Sequence, residues 1–249
     1  MAKQKGVFKI EGTLDDVTFF KRRDVYLVRN KGGVSKQRIM NDPAFARTRE
    51  NGTEFTNVAH SGKMIRNANS VLIRKAYDGT LSNRLVRVLA LVKNEDKNSS
   101  RGNRTVFEGI GTNEGKNLLK GFDFNSRSQL TSVLQAPFVL DTATGKVTIE
   151  DLVPLDMLAY PQNSTHVSFR TGFLNLDFET GAFEITYSPV VTLPLDMTVS
   201  SPEMLPTAIP GGAGIQFYFF LIEFMQEVNG VEYALNDGNY NVLSLLEVK

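Results

Sequence analysis

The spacing of apolar residues along the chain changes near residue 120. Before that point, apolar side chains recur every three or four positions, which is the period of one helix face. In residues 53–77 this stripe consists of Phe55, Val58, Ala59, Ile65, Ala68 and Leu72. In residues 81–93 it consists of Leu81, Leu85, Val88, Leu89 and Val92. The pattern therefore predicts two amphipathic helices. A shorter helix is expected to start at Asp42-Pro43 and to end or kink at Gly52.

Shorter patterns surround these helices. Residues 7–29 have the brief apolar runs of a β-hairpin or small meander, with a polar turn near residues 21–24. Residues 30–42 contain Gly32 and Gly33 and are predicted to form a linker or arm. The polar residues 94–104 predict an exposed loop that is open to disorder or proteolysis.

From about residue 122 the apolar period becomes two, as in strands. Residues 215–224 are apolar on both faces and predict a central strand, and residues 240–248 predict the last strand. Residues 128–140 predict a strand pair or one long bent strand. Short strands at this spacing are typical of a β-sandwich or barrel. We therefore predict an α+β protein: a β-hairpin plus helices in residues 1–120, and an antiparallel β-sandwich in residues 121–249.

The charge of the chain is divided in the same place. Residues 1–120 hold 24 Lys+Arg and 12 Asp+Glu, a net of +12, whereas residues 121–249 hold 4 and 15, a net of −11. The whole chain carries only +1. A basic half joined to an acidic half can attract itself, another copy or a polyanion, so this asymmetry is the main functional clue.

Composition excludes several kinds of chemistry. The chain has no Cys, so thiolate catalysis, disulfides and Cys-bound zinc are impossible. Its two histidines, His60 and His166, are far apart in sequence and do not form a recognisable metal or catalytic motif. The glycines between Gly109 and Gly115 do not have the spacing of a dinucleotide fingerprint. The turn at residues 236–239 lacks the acidic residue that completes a calcium loop. We expect no enzyme activity and no cofactor, although a pair of catalytic carboxylates in the β-rich part stays open.

No apolar run is long enough to cross a bilayer, and no signal peptide is visible at the N-terminus. We therefore expect a soluble, cytoplasmic protein without a membrane partner.

Seven basic residues form the candidate partner-binding face. Helical spacing places Lys63, Arg66 and Arg74 on one face of the second helix and Arg84 and Arg87 on the third, while Lys36 and Arg38 lie in the arm. The alternative, that they are ordinary solvated faces, stays open for any single residue. Stacking aromatics are few in this half, which favours a protein partner over nucleic acid.

Three stretches of the first 75 or so residues resemble a family of uncharacterised proteins from Bacteroidetes-type bacteria. They are KGVFKIEGT at 5–13, KGGVS at 31–35 and NDPAFARTRENG at 41–52. The resemblance implies a bacterial source. The family brings no activity, ligand or catalytic residue that could be carried over.

Our leading hypothesis is a non-enzymatic structural protein that self-associates, with the basic region of one copy docking on the acidic β-region of the next. The alternatives are nucleic-acid binding by the basic region and a β-sandwich that binds sugars or peptides. An exposed Tyr/Phe patch on the β-part would favour the last. An internal salt-bridged interface between the halves is the remaining interpretation.

Overall fold

The computed structural model describes residues 2–30, 32–76, 78–235 and 238–249. Packing divides the chain into two compact units, Met1–Glu50 and Asn51–Lys249. The mixture of helices with antiparallel sheets confirms the predicted α+β class. The boundary predicted between residues 120 and 121 lies inside the second unit, and it stays a prediction, as does the sandwich. Within the described ranges, no helix is both long and apolar enough to span a membrane.

The first unit is built on a small antiparallel sheet. Its strands are β1 Ala2–Lys3, β2 Gly12–Leu14, β3 Val17–Arg22 and β4 Val25–Asn30, in the order β1-β4-β3-β2. Helix α1, Lys36–Asn41, follows, with the Ser35 hydroxyl accepting from the Arg38 amide at its start. The 3-10 turn Pro43–Phe45 comes next, and the Asp42 carboxylate accepts from the Ala44 amide. The cap expected at Asp42-Pro43 is therefore confirmed.

Helix α2, Ala46–Ala68, continues through Gly52, so the prediction that a helix ends there is wrong. A second glycine in this helix, Gly62, faces α4, where a Cβ would lie 3.4 Å from Leu89 Cδ1, an ordinary contact distance. The other helices are α3 Ser70–Ile73, α4 Leu81–Asn94, α5 Val106–Ile110, α6 Asn113–Leu119, α7 Leu130–Val133 and α8 Pro154–Met157.

The glycines at 109 and 115 have a packing role. A Cβ on Gly109 would collide with the Val92 carbonyl of α4, and a Cβ on Gly115 would collide with the Gly109 carbonyl. Between them, the Thr112 hydroxyl accepts from the Gly115 amide and caps α6. The glycines therefore allow α4, α5 and α6 to approach one another closely.

The main sheet is antiparallel and curls into a half-barrel. Its strands are β7 His166–Leu176, β8 Phe183–Tyr187, β9 Val191–Pro194, β11 Ile215–Val228, β12 Val231–Ala234 and β13 Val242–Val248. The strands β7 and β11 pair along their whole common length, from Ile215 opposite Leu176 to Met225 opposite His166. The expected central strand at 215–224 and last strand at 240–248 are both confirmed.

A smaller sheet contains β5 Phe138–Asp141, β6 Lys146–Ile149 and β10 Glu203–Met204, in the order β10-β6-β5. The strand predicted for residues 128–140 is wrong over most of its length, because α7 occupies residues 130–133. The Asp123 carboxylate accepts from the Leu130 amide, which satisfies a backbone donor at the start of this turn of helix.

Alternation along β11 separates two hydrophobic cores. Phe217, Phe219 and Leu221 point to one face, where they pack with the apolar stripe of α4 and with the buried part of the α2 stripe. Phe55, which was predicted to belong to that stripe, is instead 62% exposed. Tyr218, Phe220 and Ile222 point to the other, where they pack with residues of the small sheet. A strand covered on both faces needs apolar residues at every position, which explains the uninterrupted run.

Candidate functional site

The first unit has an unusual distribution of burial. Among the described residues 2–30 and 32–50, no side chain is classed as buried. Large apolar groups are instead open to solvent, with Val7 94% and Phe8 88% exposed. The exposed set in this unit is Val7, Phe8, Ile10, Leu14, Val25, Val34 and Met40. Scattered exposed apolar residues are ordinary, but a whole unit without a core is not.

The register of its sheet explains this. Phe19 pairs with Val28 and Phe20 pairs with Leu27 across β3 and β4. Since successive residues point to opposite faces, each face receives one aromatic–aliphatic pair rather than one face receiving both. Neither face is therefore apolar enough to build a core alone, and both keep half-exposed rings.

Cations lie beside three aromatic rings of the first unit. The Lys21 ammonium is 5.5 Å from the Tyr26 ring centre, and the Arg29 guanidinium is 5.4 Å from that of Phe20. A third guanidinium, of Arg38, is 5.7 Å from the Phe45 ring centre. Residues 1–50 hold 12 Lys+Arg against 6 Asp+Glu, a net of +6. The surface of the first unit is thus apolar and basic at once.

Two of the predicted partner-binding residues, Lys36 and Arg38, lie on α1 in this unit, and both are exposed. Arg38 Nε donates to Asp42 Oδ2 over 3.1 Å, an exposed pair within one turn. Such pairs contribute little to stability, so this guanidinium is held only loosely.

The other five predicted residues belong to the second unit. Lys63, Arg74 and Arg87 are exposed, and Arg66 is half-buried. The Arg66 guanidinium donates to the Ser82 hydroxyl, which places the C-terminal part of α2 beside the start of α4. Arg74 follows the separate short helix α3, so the prediction that it shares one helix with Lys63 and Arg66 is wrong.

Arg84 differs from the rest because its guanidinium is used inside the protein. Its Nη2 donates to Asp78 Oδ2 over 2.7 Å and to the Phe124 carbonyl over 2.8 Å, and its Nη1 donates to the Asp123 carbonyl over 2.8 Å. It also lies over the Phe122 ring. Arg84 fastens residues 122–124 to α4. Burial opposes the ionised form of Asp78, but hydrogen bonds from Thr80 and Ser126 outweigh it and hold the pKa of Asp78 far below its ordinary value.

An acidic surface that the sequence did not single out lies on the hairpin of β11 and β12. Glu227 and Glu232 are directly opposite each other in the register, and both are exposed. Like charges in that position repel. On the other face of the hairpin, Val228 pairs with Val231, 46% and 50% exposed, and the exposed Tyr233 follows. The turn signal Asn229-Gly230 could have located this hairpin, because both residues have the positive φ that such turns need.

A cluster of buried charges holds the loop after α4. The Glu54 carboxylate, 4% exposed, accepts from the Arg104 guanidinium over 2.9 and 3.0 Å, from the Gly102 amide and from Lys93. Hydrogen bonds from Arg104, Lys93 and Gly102 outweigh burial and lower the pKa of Glu54 to about 2. The carboxylate of Asp96, 3% exposed, accepts from three backbone amides of the same loop. The exposed loop predicted at residues 94–104 is present, with more than half of its residues exposed, but Asp96 and Gly102 are buried. Its disorder or proteolysis stays a prediction.

Within the described residues, no group of three His, Asp or Glu side chains is placed to hold a metal ion. His166 Nε2 lies 3.6 Å from Glu227 Oε2, a surface pair. In the turn at 236–239 that was considered for calcium, Asn236 and Asp237 lie outside the described residues.

Comparisons of the chain with protein-family models, with curated proteins and with solved structures find no match. The resemblance of residues 5–52 to a Bacteroidetes-type family stays a prediction. The function must therefore be argued from the surfaces themselves.

Proposed function

We propose that this chain is a non-enzymatic structural protein that self-associates. In this proposal the basic N-terminal region of one copy docks on the acidic β-region of the next, which the proposal treats as a β-sandwich. The proposal rests on the surface of the first unit. This unit presents apolar and basic side chains together and has no buried side chain among its described residues. Small sheets need a covering layer for stability.

Charge complementarity selects a second copy as the cover. The first unit carries +6 and residues 121–249 carry −11. Opposite potentials of this kind steer two surfaces together and fix their register. A partner surface should also offer apolar contacts for residues such as Phe8 and Leu14.

The hairpin of β11 and β12 fits that description best. Its facing Glu227 and Glu232 would be relieved of their repulsion by a cation between them, and Val228, Val231 and Tyr233 add apolar area. The strand β12 is also at the edge of the main sheet, and all four of its residues are exposed. An open edge can accept a further strand.

Such a contact joins two different surfaces and is therefore heterologous. Copies joined in this way form a ring if the rotation closes and a filament if it does not. The exposed residues Lys63, Arg74 and Arg87 of the second unit add positive charge to the basic region and would contribute long-range attraction.

The first test is light scattering after size-exclusion chromatography, at low and at high salt, with absorbance at 260 and 280 nm. Particles larger than one chain at low salt that dissociate at high salt are expected, because exposed charges are screened. A monomer at every salt concentration contradicts the proposal. Because the chain has 7 Tyr and no Trp, bound nucleic acid would raise the 260 nm signal and favour the nucleic-acid alternative.

Charge reversal tests the surface itself. The double variant Glu227→Lys, Glu232→Lys is expected to be monomeric at low salt. The matched control is Glu150→Lys, Glu179→Lys, which makes the same charge change at two exposed positions elsewhere in the β-region and should still assemble. Adding Lys21→Glu and Arg29→Glu to the first variant should restore part of the assembly. If both double variants lose assembly equally, net charge rather than this hairpin is responsible.

A further inference from the structure

A cavity of about 450 Å³ lies in the second unit and takes no part in the proposed assembly. It is lined by the segment 126–133, by residues 159–161 and by Tyr240. Its volume is within the range of about 300–1,000 Å³ that small-ligand sites occupy. None of its lining residues belongs to the hairpin of β11 and β12 or to the first unit.

Buried side chains fix the walls of this cavity. The Asn125 amide, 0% exposed, donates to the carbonyls of Asn239 and Asn241 over 3.0 and 2.8 Å, and its oxygen accepts from the Arg127 amide. The Ser128 hydroxyl donates to the Tyr240 carbonyl over 2.7 Å. The segment that starts at residue 126 is thus tied to the segment that carries Tyr240, so the two walls are preorganised.

Among the described residues that line the cavity, Arg127 is the single charged one. Its Nη1 donates to Asn239 Oδ1 over 2.8 Å, which orients the guanidinium. No other acceptor for this guanidinium is found in the described part of the chain, so its remaining N–H groups are available. A guanidinium offers paired donors that match a carboxylate or a phosphate.

The other polar groups of the lining are neutral. The residues Gln129, Ser132, Tyr160 and Tyr240 also line the cavity, and no hydrogen bond of their side chains is found among the described residues. The side chain of Ser126, which lines it too, is already hydrogen-bonded to Asp78. Tyr160 and Tyr240 are 39% and 46% exposed, so each presents part of a ring as well as a hydroxyl. Hydroxyl and amide groups can both donate and accept, as the hydroxyls of a polyol require. Aromatic faces cover the apolar CH groups of such a molecule.

We infer that this cavity binds a sugar-sized polyol that carries one anionic group. No carboxylate occurs among the described residues of the lining, which disfavours cations, and one oriented guanidinium suits one negative charge. The anionic group can be a carboxylate, as in a uronic acid, or a phosphate, as in a sugar phosphate. Both groups match the paired donors of a guanidinium, and the titration below distinguishes between them.

The test titrates the full-length protein with glucuronate, glucose 6-phosphate, glucose and inorganic phosphate, using calorimetry and saturation-transfer NMR. At least one anionic sugar is expected to bind at least about tenfold more tightly than glucose and than inorganic phosphate. The tighter of the two sugars identifies the anionic group. Equal binding of glucose, equal binding of phosphate alone, or no binding of any probe at millimolar concentration overturns the inference.

Variants then locate the binding. Arg127→Gln should weaken the binding of the anionic sugar at least about tenfold and leave the weak binding of glucose unchanged. Arg127→Lys keeps the charge but not the paired donors and should restore only part of the affinity. Tyr160→Ala should weaken the binding of glucose and of the anionic sugar. The control Phe107→Ala removes an aromatic ring of similar exposure, 42% against 39%, outside the cavity and should change neither. Thermal melting checks that each variant is folded. Unchanged affinity in folded Arg127→Gln overturns the assignment.

Discussion

The two units of this chain use similar residues in opposite ways. In the second unit, phenylalanines such as Phe219 and Phe220 are 1% and 0% exposed and lie between layers of helix and sheet. In the first unit Phe8 is 88% exposed, and no described side chain is buried. The difference shows that apolar content alone does not make a core. A core also needs a second layer, and the second unit supplies its own.

The largest expected effect comes from the same substitution made in both units. Phe220→Ala should lower the free energy of unfolding by about 3–5 kcal/mol, because it leaves a cavity in a packed core. Phe8→Ala should leave it nearly unchanged and should instead weaken self-association. Chemical denaturation of dilute protein, with light scattering beside it, measures both quantities. Equal destabilisation by the two variants would show that Phe8 already belongs to a core.

Ion pairs provide a second contrast. Glu54→Gln should lower the free energy of unfolding by about 3 kcal/mol, since it leaves Arg104 and Lys93 without their buried carboxylate. Arg38→Gln, which removes an exposed pair in the first unit, should cost no more than about 1 kcal/mol.

The same carboxylate predicts a pH dependence. The pKa of Glu54 is lowered from 4.5 to about 2, so its contribution to stability is complete above about pH 4.5 and is lost as the pH falls towards 2. The pKa of Asp96 is also lowered, by backbone hydrogen bonds that outweigh burial, and acts in the same direction. The variant Glu54→Gln should therefore show a flatter acid limb in denaturation between pH 4.5 and 2. An unchanged slope would contradict this account.

The smallest effect concerns two glycines. Gly52→Ala should stabilise by about 0.5–1 kcal/mol, because nothing lies within 4 Å of the new methyl group in a helix interior. Gly109→Ala is the matched opposite, since its methyl group meets the Val92 carbonyl, and it should be clearly destabilising. Melting temperatures of the two variants should move in opposite directions.

Much of the fold was predictable because it follows from the local spacing of apolar residues. The stripe at Leu81, Leu85, Leu89 and Val92 became the buried face of α4, and the all-apolar run at 215–224 became the strand between two cores. The conformation of residues 128–140 could not be predicted from apolar spacing. There the conformation depends on Asp123, whose contact with the Leu130 amide leaves no trace in the apolar spacing.

The candidate surfaces were predictable only in part. Charge counts found the basic region but could not show that Arg84 is used internally, since that depends on carbonyl groups 39 and 40 residues away. The facing pair Glu227 and Glu232 depends on strand register. The cavity beside Tyr160 and Tyr240 depends on two loops that are distant in sequence.

The late position of β11 in the chain affects the order in which the molecule folds during synthesis. The apolar stripes of α2 and α4 pack against β11 and β13, so these helices emerge from the ribosome well before their cover does. The intervening residues 120–214 take roughly 5–20 s to synthesise. During that interval the nascent helices expose surface that a chaperone could bind, and a pause in translation there would prolong the exposure.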